Sequence, residues 1–122
     1  MTPEQILRKR LEQQREWVSL PVEEGAAPLR VSVRRPYATD LTQFAGGAIT
    51  VEQVVQCVEA WEGFTEATFL GSAIGSDEPV EFNRELWADY VRDNPEAYVA
   101  VSRGLVDGVM RAADRLKALR GN

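Results

Sequence analysis

The chain has 122 residues, 44% of them apolar and 27% charged, with a formal net charge of −5, a size and balance that suit one domain with a real core. No apolar run approaches the ~18 residues of a membrane span, and the opening Met1-Thr2-Pro3-Glu4-Gln5 lacks the basic-then-apolar pattern of a secretory leader, so a cytoplasmic protein is expected. The absence of any histidine removes the usual general base and the commonest metal ligand, and the single cysteine, Cys57, has no partner for an internal disulfide.

In chain order, Thr2-Pro3-Glu4-Gln5 is a helix start: Thr2 caps, Pro3 suits the first helical position and Gln5 closes a capping box. The predicted helix continues to about Glu16. Its apolar residues Ile6, Leu7 and Leu11 make only a thin stripe, so it is expected as a weakly held segment, residues 1–16, beside a domain over 17–122. The period then changes. Val18, Leu20 and Val22 alternate, as do Leu29, Val31 and Val33, with turn residues between them, which reads as a β-hairpin at about 17–35. Pro21 places its strand at an edge or a break, and Arg30 and Arg34 fall on the face opposite the valines.

A short helix is predicted over Thr39–Ala45, broken by Gly46-Gly47. Thr50-Val51-Glu52-Gln53 is a second capping box. The helix after it is predicted to run to Trp61, with Val51, Val54, Val55, Val58 and Trp61 on one face. Another short helix spans Thr65 to Leu70, and residues 71–79 form a loop. Asn83 caps a helix carrying Leu86, Trp87, Tyr90 and Val91, and Asn94-Pro95 starts a final helix to about Leu119. Gly104 and Gly108, one turn apart in it, permit close approach of another backbone. These elements predict a mainly α fold: a compact domain of about five to six helices with an N-terminal β-hairpin.

Candidate chemistry is sparse. Cys57 beside the valine face reads as an inert thiol, since no histidine can activate it. Gly71-Ser72-Ala73-Ile74-Gly75-Ser76 follows a helix and lacks the Lys-Ser/Thr of a phosphate loop. Asp77, Glu78 and Glu81 do not have EF-hand spacing. Glu62, Glu66, Glu85 and Asp89 read as helix surface rather than as a tuned acid–base pair. No catalytic residue, cofactor or metal ligand is assigned, and an enzyme is not expected.

Residues 41–122 carry 13 acidic and 7 basic side chains, so the chain as a whole disfavours nucleic acid. The basic residues Arg8, Lys9, Arg10, Arg30, Arg34 and Arg35 read first as an exposed face paired with Glu12, Glu16, Glu23 and Glu24. Two other readings of these basic residues stand beside it: a phosphate contact, and a seat for the acidic half of a neighbouring copy, the charge contact being assigned to Arg30, Arg34 and Arg35. Trp61, Phe64, Phe69, Phe82 and Trp87 crowd one short stretch. They read either as core alone or as core with a partly exposed docking groove.

Two blocks carry a family likeness. One is Val31-Ser32-Val33-Arg34-Arg35-Pro36. The other is Val58-Glu59-Ala60-Trp61-Glu62-Gly63-Phe64-Thr65-Glu66, followed by Pro79-Val80-Glu81-Phe82 and Glu85-Leu86-Trp87. Over roughly residues 17–100, this layout resembles the small tail assembly chaperones of long-tailed bacteriophages and related prophages. The resemblance implies a non-enzymatic protein that binds the helical tape-measure protein and keeps it soluble while tail-tube subunits assemble around it. It implies self-association into a homo-oligomer, the tail-tube protein as a further partner, and a place in the host cytoplasm rather than in the mature virion. A hydrophobic groove between helices would receive the tape measure, with Trp61, Phe64, Phe82, Trp87 and Tyr90 as partner-binding residues. Two alternatives are a neck or minor tail connector protein of the virion, and a small nucleic-acid-binding regulator using residues 8–35.

Overall fold

The computed structural model describes residues 1–37 and 49–121. Within them the order is α1 (Pro3–Gln13), β1 (Arg15–Leu20), β2 (Leu29–Arg34), α2 (Val51–Cys57), β3 (Val58–Glu62), α3 (Glu66–Leu70), α4 (Arg84–Asp93) and α5 (Pro95–Leu119). The helix expected over Thr39–Ala45 and its Gly46-Gly47 break lie outside the described residues. Helix predominates, but the strands are not an N-terminal hairpin alone: a three-stranded antiparallel sheet has the order β1-β2-β3.

The capping box of α1 forms as its sequence requires. Thr2 Oγ1 accepts from the Gln5 amide at 3.2 Å, and the Gln5 side chain accepts from the Thr2 amide at 2.9 Å. The thin apolar stripe has the expected consequence, for no residue of α1 is buried. The helix is tied down at its end, where the Gln14 carbonyl accepts from the Arg35 amide at 2.9 Å.

The hairpin also forms, with Val18 opposite Val31 and Leu20 opposite Leu29. These side chains share one face of the sheet and enter the core. Strand β1 is an edge strand and stops at Leu20, so Pro21, which has no amide hydrogen to give, interrupts no ladder.

The sequence expectation fails after Cys57. The valine-faced helix does not continue to Trp61; it ends at Cys57, and Val58–Glu62 becomes the third strand. Three causes act together. Valines weaken the helix by their stiff χ1. The free edge of β2 offers ladder bonds, and Val31 takes Trp61 as its cross-strand partner while Val33 takes Val58. Finally, the helix end is closed from outside: Arg84 Nη1 lies 2.7 Å from the Val55 carbonyl, 2.9 Å from that of Val58 and 3.3 Å from that of Gln56. These are carbonyls a helix end leaves without partners. The register skips Glu59 at a bulge, so Val58 and Trp61 both reach the buried face although three residues apart.

Gly63 turns the chain out of β3 with φ +91°, and a Cβ there would lie 2.2 Å from the Pro28 carbonyl oxygen, so both conformation and space demand glycine. Asn83 caps α4, its Oδ1 accepting from the Leu86 amide at 3.0 Å. Asn94 stands at the cap position of α5, but its side chain points back and donates to the Tyr90 carbonyl at 2.8 Å.

Helix α5 crosses the apolar face of the sheet. Gly104 permits the close approach expected of it, and what approaches is a strand side chain: a Cβ there would sit 2.7 Å from Val18 Cγ2. Val101, Leu105 and Val109 of α5 are buried, as are Val54 and Val55 of α2 and Trp87 and Val91 of α4. Among the described residues no helix is long and apolar enough to cross a membrane.

Candidate functional site

The aromatic residues expected as partner anchors form one continuous cluster. Trp61 stacks on Phe64 at a centroid distance of 4.4 Å and meets Phe82 edge-on at 5.1 Å. Tyr90 meets Phe64 edge-on at 5.3 Å and lies 6.0 Å from Trp87. Phe69 joins through Trp61 at 5.5 Å. Strand β3, the turn after it, α3, the segment before α4 and α4 itself supply these rings, so the switch from helix to strand after Cys57 is what aims Trp61 into the group. Offset and edge-on rings of this kind add to the area they bury.

The cluster is graded from inside to outside. Trp87 is 0% exposed, Phe64 1% and Trp61 8%, whereas Phe69, Phe82 and Tyr90 are half-buried. Both buried indoles have hydrogen-bond partners. Trp61 Nε1 donates to the Val80 carbonyl at 2.7 Å, and Trp87 Nε1 to that of Val54 at 3.3 Å. Of the five rings singled out in the sequence, Phe82 and Tyr90 therefore reach the surface, and Trp61, Phe64 and Trp87 support them from within. Burial raises the Tyr90 phenol above its ordinary value, with nearby Glu96 adding to the effect.

The arginines of the hairpin meet acids of their own chain, but different ones from those the sequence suggested. Arg30 grips Glu62 through Nε at 2.7 Å and Nη2 at 2.6 Å, and its guanidinium covers the Trp17 ring at 4.2 Å. Arg34 pairs with Glu59 at 2.7 Å, and Arg15 meets the same carboxylate at 3.1 Å. Both acids stand on β3, the strand that periodicity had hidden in a helix. Arg35 instead donates to the Pro36 carbonyl at 3.1 Å. Glu16 pairs with Arg111 of α5. The outer face of the sheet is thus a ladder of matched charges, a geometry worth little stability in solvent.

Cys57 is inert by its surroundings. Its Sγ lies 3.4 Å from the Val54 carbonyl, and burial pushes the thiol up from 9.0 to about 12. The exposed Glu66 carboxyl is held below its ordinary value by Ser76, whose Oγ and amide donate at 2.7 Å and 3.3 Å. This bond closes the loop over residues 71–79 onto the start of α3. Among the described residues no group of three metal-binding side chains comes together.

Arg84 is the residue the sequence reading missed. A signal was present: a cation at the start of a helix opposes the helix dipole and therefore needs another reason to be there. That reason is the set of carbonyls it holds. Comparison of the chain with protein-family models, with curated proteins and with solved structures returned no match.

Proposed function

We propose that this protein is a non-enzymatic tail assembly chaperone that binds a tape-measure protein through apolar helix faces and keeps it soluble during tail-tube assembly. The motif resemblance suggests the role. The observation that carries it is the uncovered apolar surface of α5. Val99, Val106 and Met110 recur at helical spacing on one side and are 43%, 48% and 60% exposed. On the other side the core-facing stripe runs on past the body to Leu116 and Leu119. A long amphipathic helix seeks such a surface. In this reading Phe82 and Tyr90 are further contacts, and Trp61, Phe64 and Trp87 hold them in place.

Co-expression with a tape-measure protein tests the proposal. The soluble yield of that protein should rise several-fold, and mass spectrometry of purified particles should find this chain absent. An unchanged yield, with the chain present in particles, would identify a connector protein instead.

A further inference from the structure

Where the end of α1 meets the distal half of α5, the surface opens into a cleft of about 330 Å³. Arg10, Arg15, Arg35, Arg111 and Arg115 line it, against the single carboxylate of Glu16. Arg111 is paired with Glu16, Arg15 is paired with Glu59, and Arg35 is engaged by the Pro36 carbonyl. Among the described residues Arg10 and Arg115 have no acidic partner within ion-pair distance. Five arginines face one glutamate in the lining, and Arg10, Arg35 and Arg115 are left without an acidic partner among the described residues, in a chain whose net charge is −5. Cations drawn into one concave site repel each other unless an anion joins them.

A second observation is independent of charge. Gln14, in the wall of the same cleft, is 3% exposed, and neither its Nε2 nor its Oε1 has a hydrogen-bond partner. Buried amides left unpaired are rare because they lose water without replacement, so this wall holds a polar group that the chain itself does not satisfy.

We propose that this cleft binds a phosphate-type anion, either free phosphate or a phosphate monoester. Arg10 and Arg115 supply its open guanidinium groups, and Gln14 stands in its wall. Guanidinium forks match the spacing of phosphate oxygens. A monocarboxylate leaves most of the excess charge in place, whereas a dianion removes more of it. The arginines converge on one hollow instead of tracking a line, and the rest of the chain is acidic, so a nucleic-acid backbone is disfavoured. Leu116 and Leu119 at the border offer an apolar wall to an ester group.

The test is thermal melting of the full chain at constant ionic strength, replacing chloride by inorganic phosphate, phenyl phosphate, acetate or a mixed-sequence DNA duplex. At about ten times its Kd, phosphate should raise the Tm by roughly 3–6 °C, and acetate should not. A larger rise with phenyl phosphate points to an ester as the natural ligand, and an equal rise to free phosphate. The double variant Arg10→Gln/Arg115→Gln should melt at or above the parent temperature without phosphate and lose the response, while Arg103→Gln, outside the cleft, keeps it. Gln14→Leu should melt at or above the parent temperature, since it removes an unpaired buried amide. No response beyond chloride, a full response in the double variant, or a response to DNA without one to phosphate would overturn the proposal.

Discussion

Helix α5 belongs to two regions that differ in what covers them. Over its first half, the stripe Val101, Leu105 and Val109 is pressed on the sheet and is 0%, 2% and 6% exposed. Over its last turns the same stripe continues to Leu116 and Leu119, now 47% and 78% exposed. The side chains are alike in kind, so composition does not separate the halves; the sheet ends and the helix does not. Helix α1 has the same condition, with Ile6 and Leu7 exposed and nothing buried. An apolar period states which face of a helix seeks cover, not whether its own chain supplies it.

The sharpest way to break this contrast is to damage the covered half. Trp87→Ala removes a ring with no exposed surface and should cost about 3–5 kcal/mol in chemical denaturation. Next is Arg84→Met, which keeps the stem but leaves the end of α2 without its donor. A loss of roughly 2–3 kcal/mol is expected, with reduced strand signal in circular dichroism if β3 depends on that closure.

Cys57 gives a smaller, pH-dependent effect. Its thiol ionises near 12 when folded and near 9.0 otherwise, so the unfolded chain releases the proton first. Its contribution is fully present below 9.0 and is lost as pH rises toward 12. Tyr90 is shifted in the same direction and adds to the alkaline loss. Cys57→Ala should flatten the fall in stability above pH 9.0, as read from denaturation midpoints across that range. The smallest effect belongs to the uncovered half, where Leu119→Ala should change stability by less than ~0.5 kcal/mol.

How much of this was legible beforehand depended on range. Capping boxes at Thr2 and Thr50 and a hairpin of the two alternating segments follow from residues close in sequence, and they appear as expected. The end of α2 did not follow. Val58 and Trp61 satisfy a helical period and, through the bulge at Glu59, a buried strand face as well. The choice between them is made by β2, about 30 residues upstream, and by Arg84, which lies beyond the strand. For the same reason the partners of Arg30 and Arg34 were sought in nearby glutamates, whereas Glu62 and Glu59 hold them. The rings from Trp61 to Tyr90 were legible as a group, but their grading from Trp87 to Phe82 was set by packing alone.

In the function proposed above, the uncovered face of α5 receives a partner helix while the aromatic cluster holds the body together. The most direct measurement is the soluble yield of the co-expressed tape-measure protein with a Val106→Glu/Met110→Glu variant whose own melting temperature is recorded alongside. A melting temperature within about 2 °C of the parent is expected, with a soluble yield reduced to that seen without this chain. An unchanged yield from an equally stable variant would contradict it.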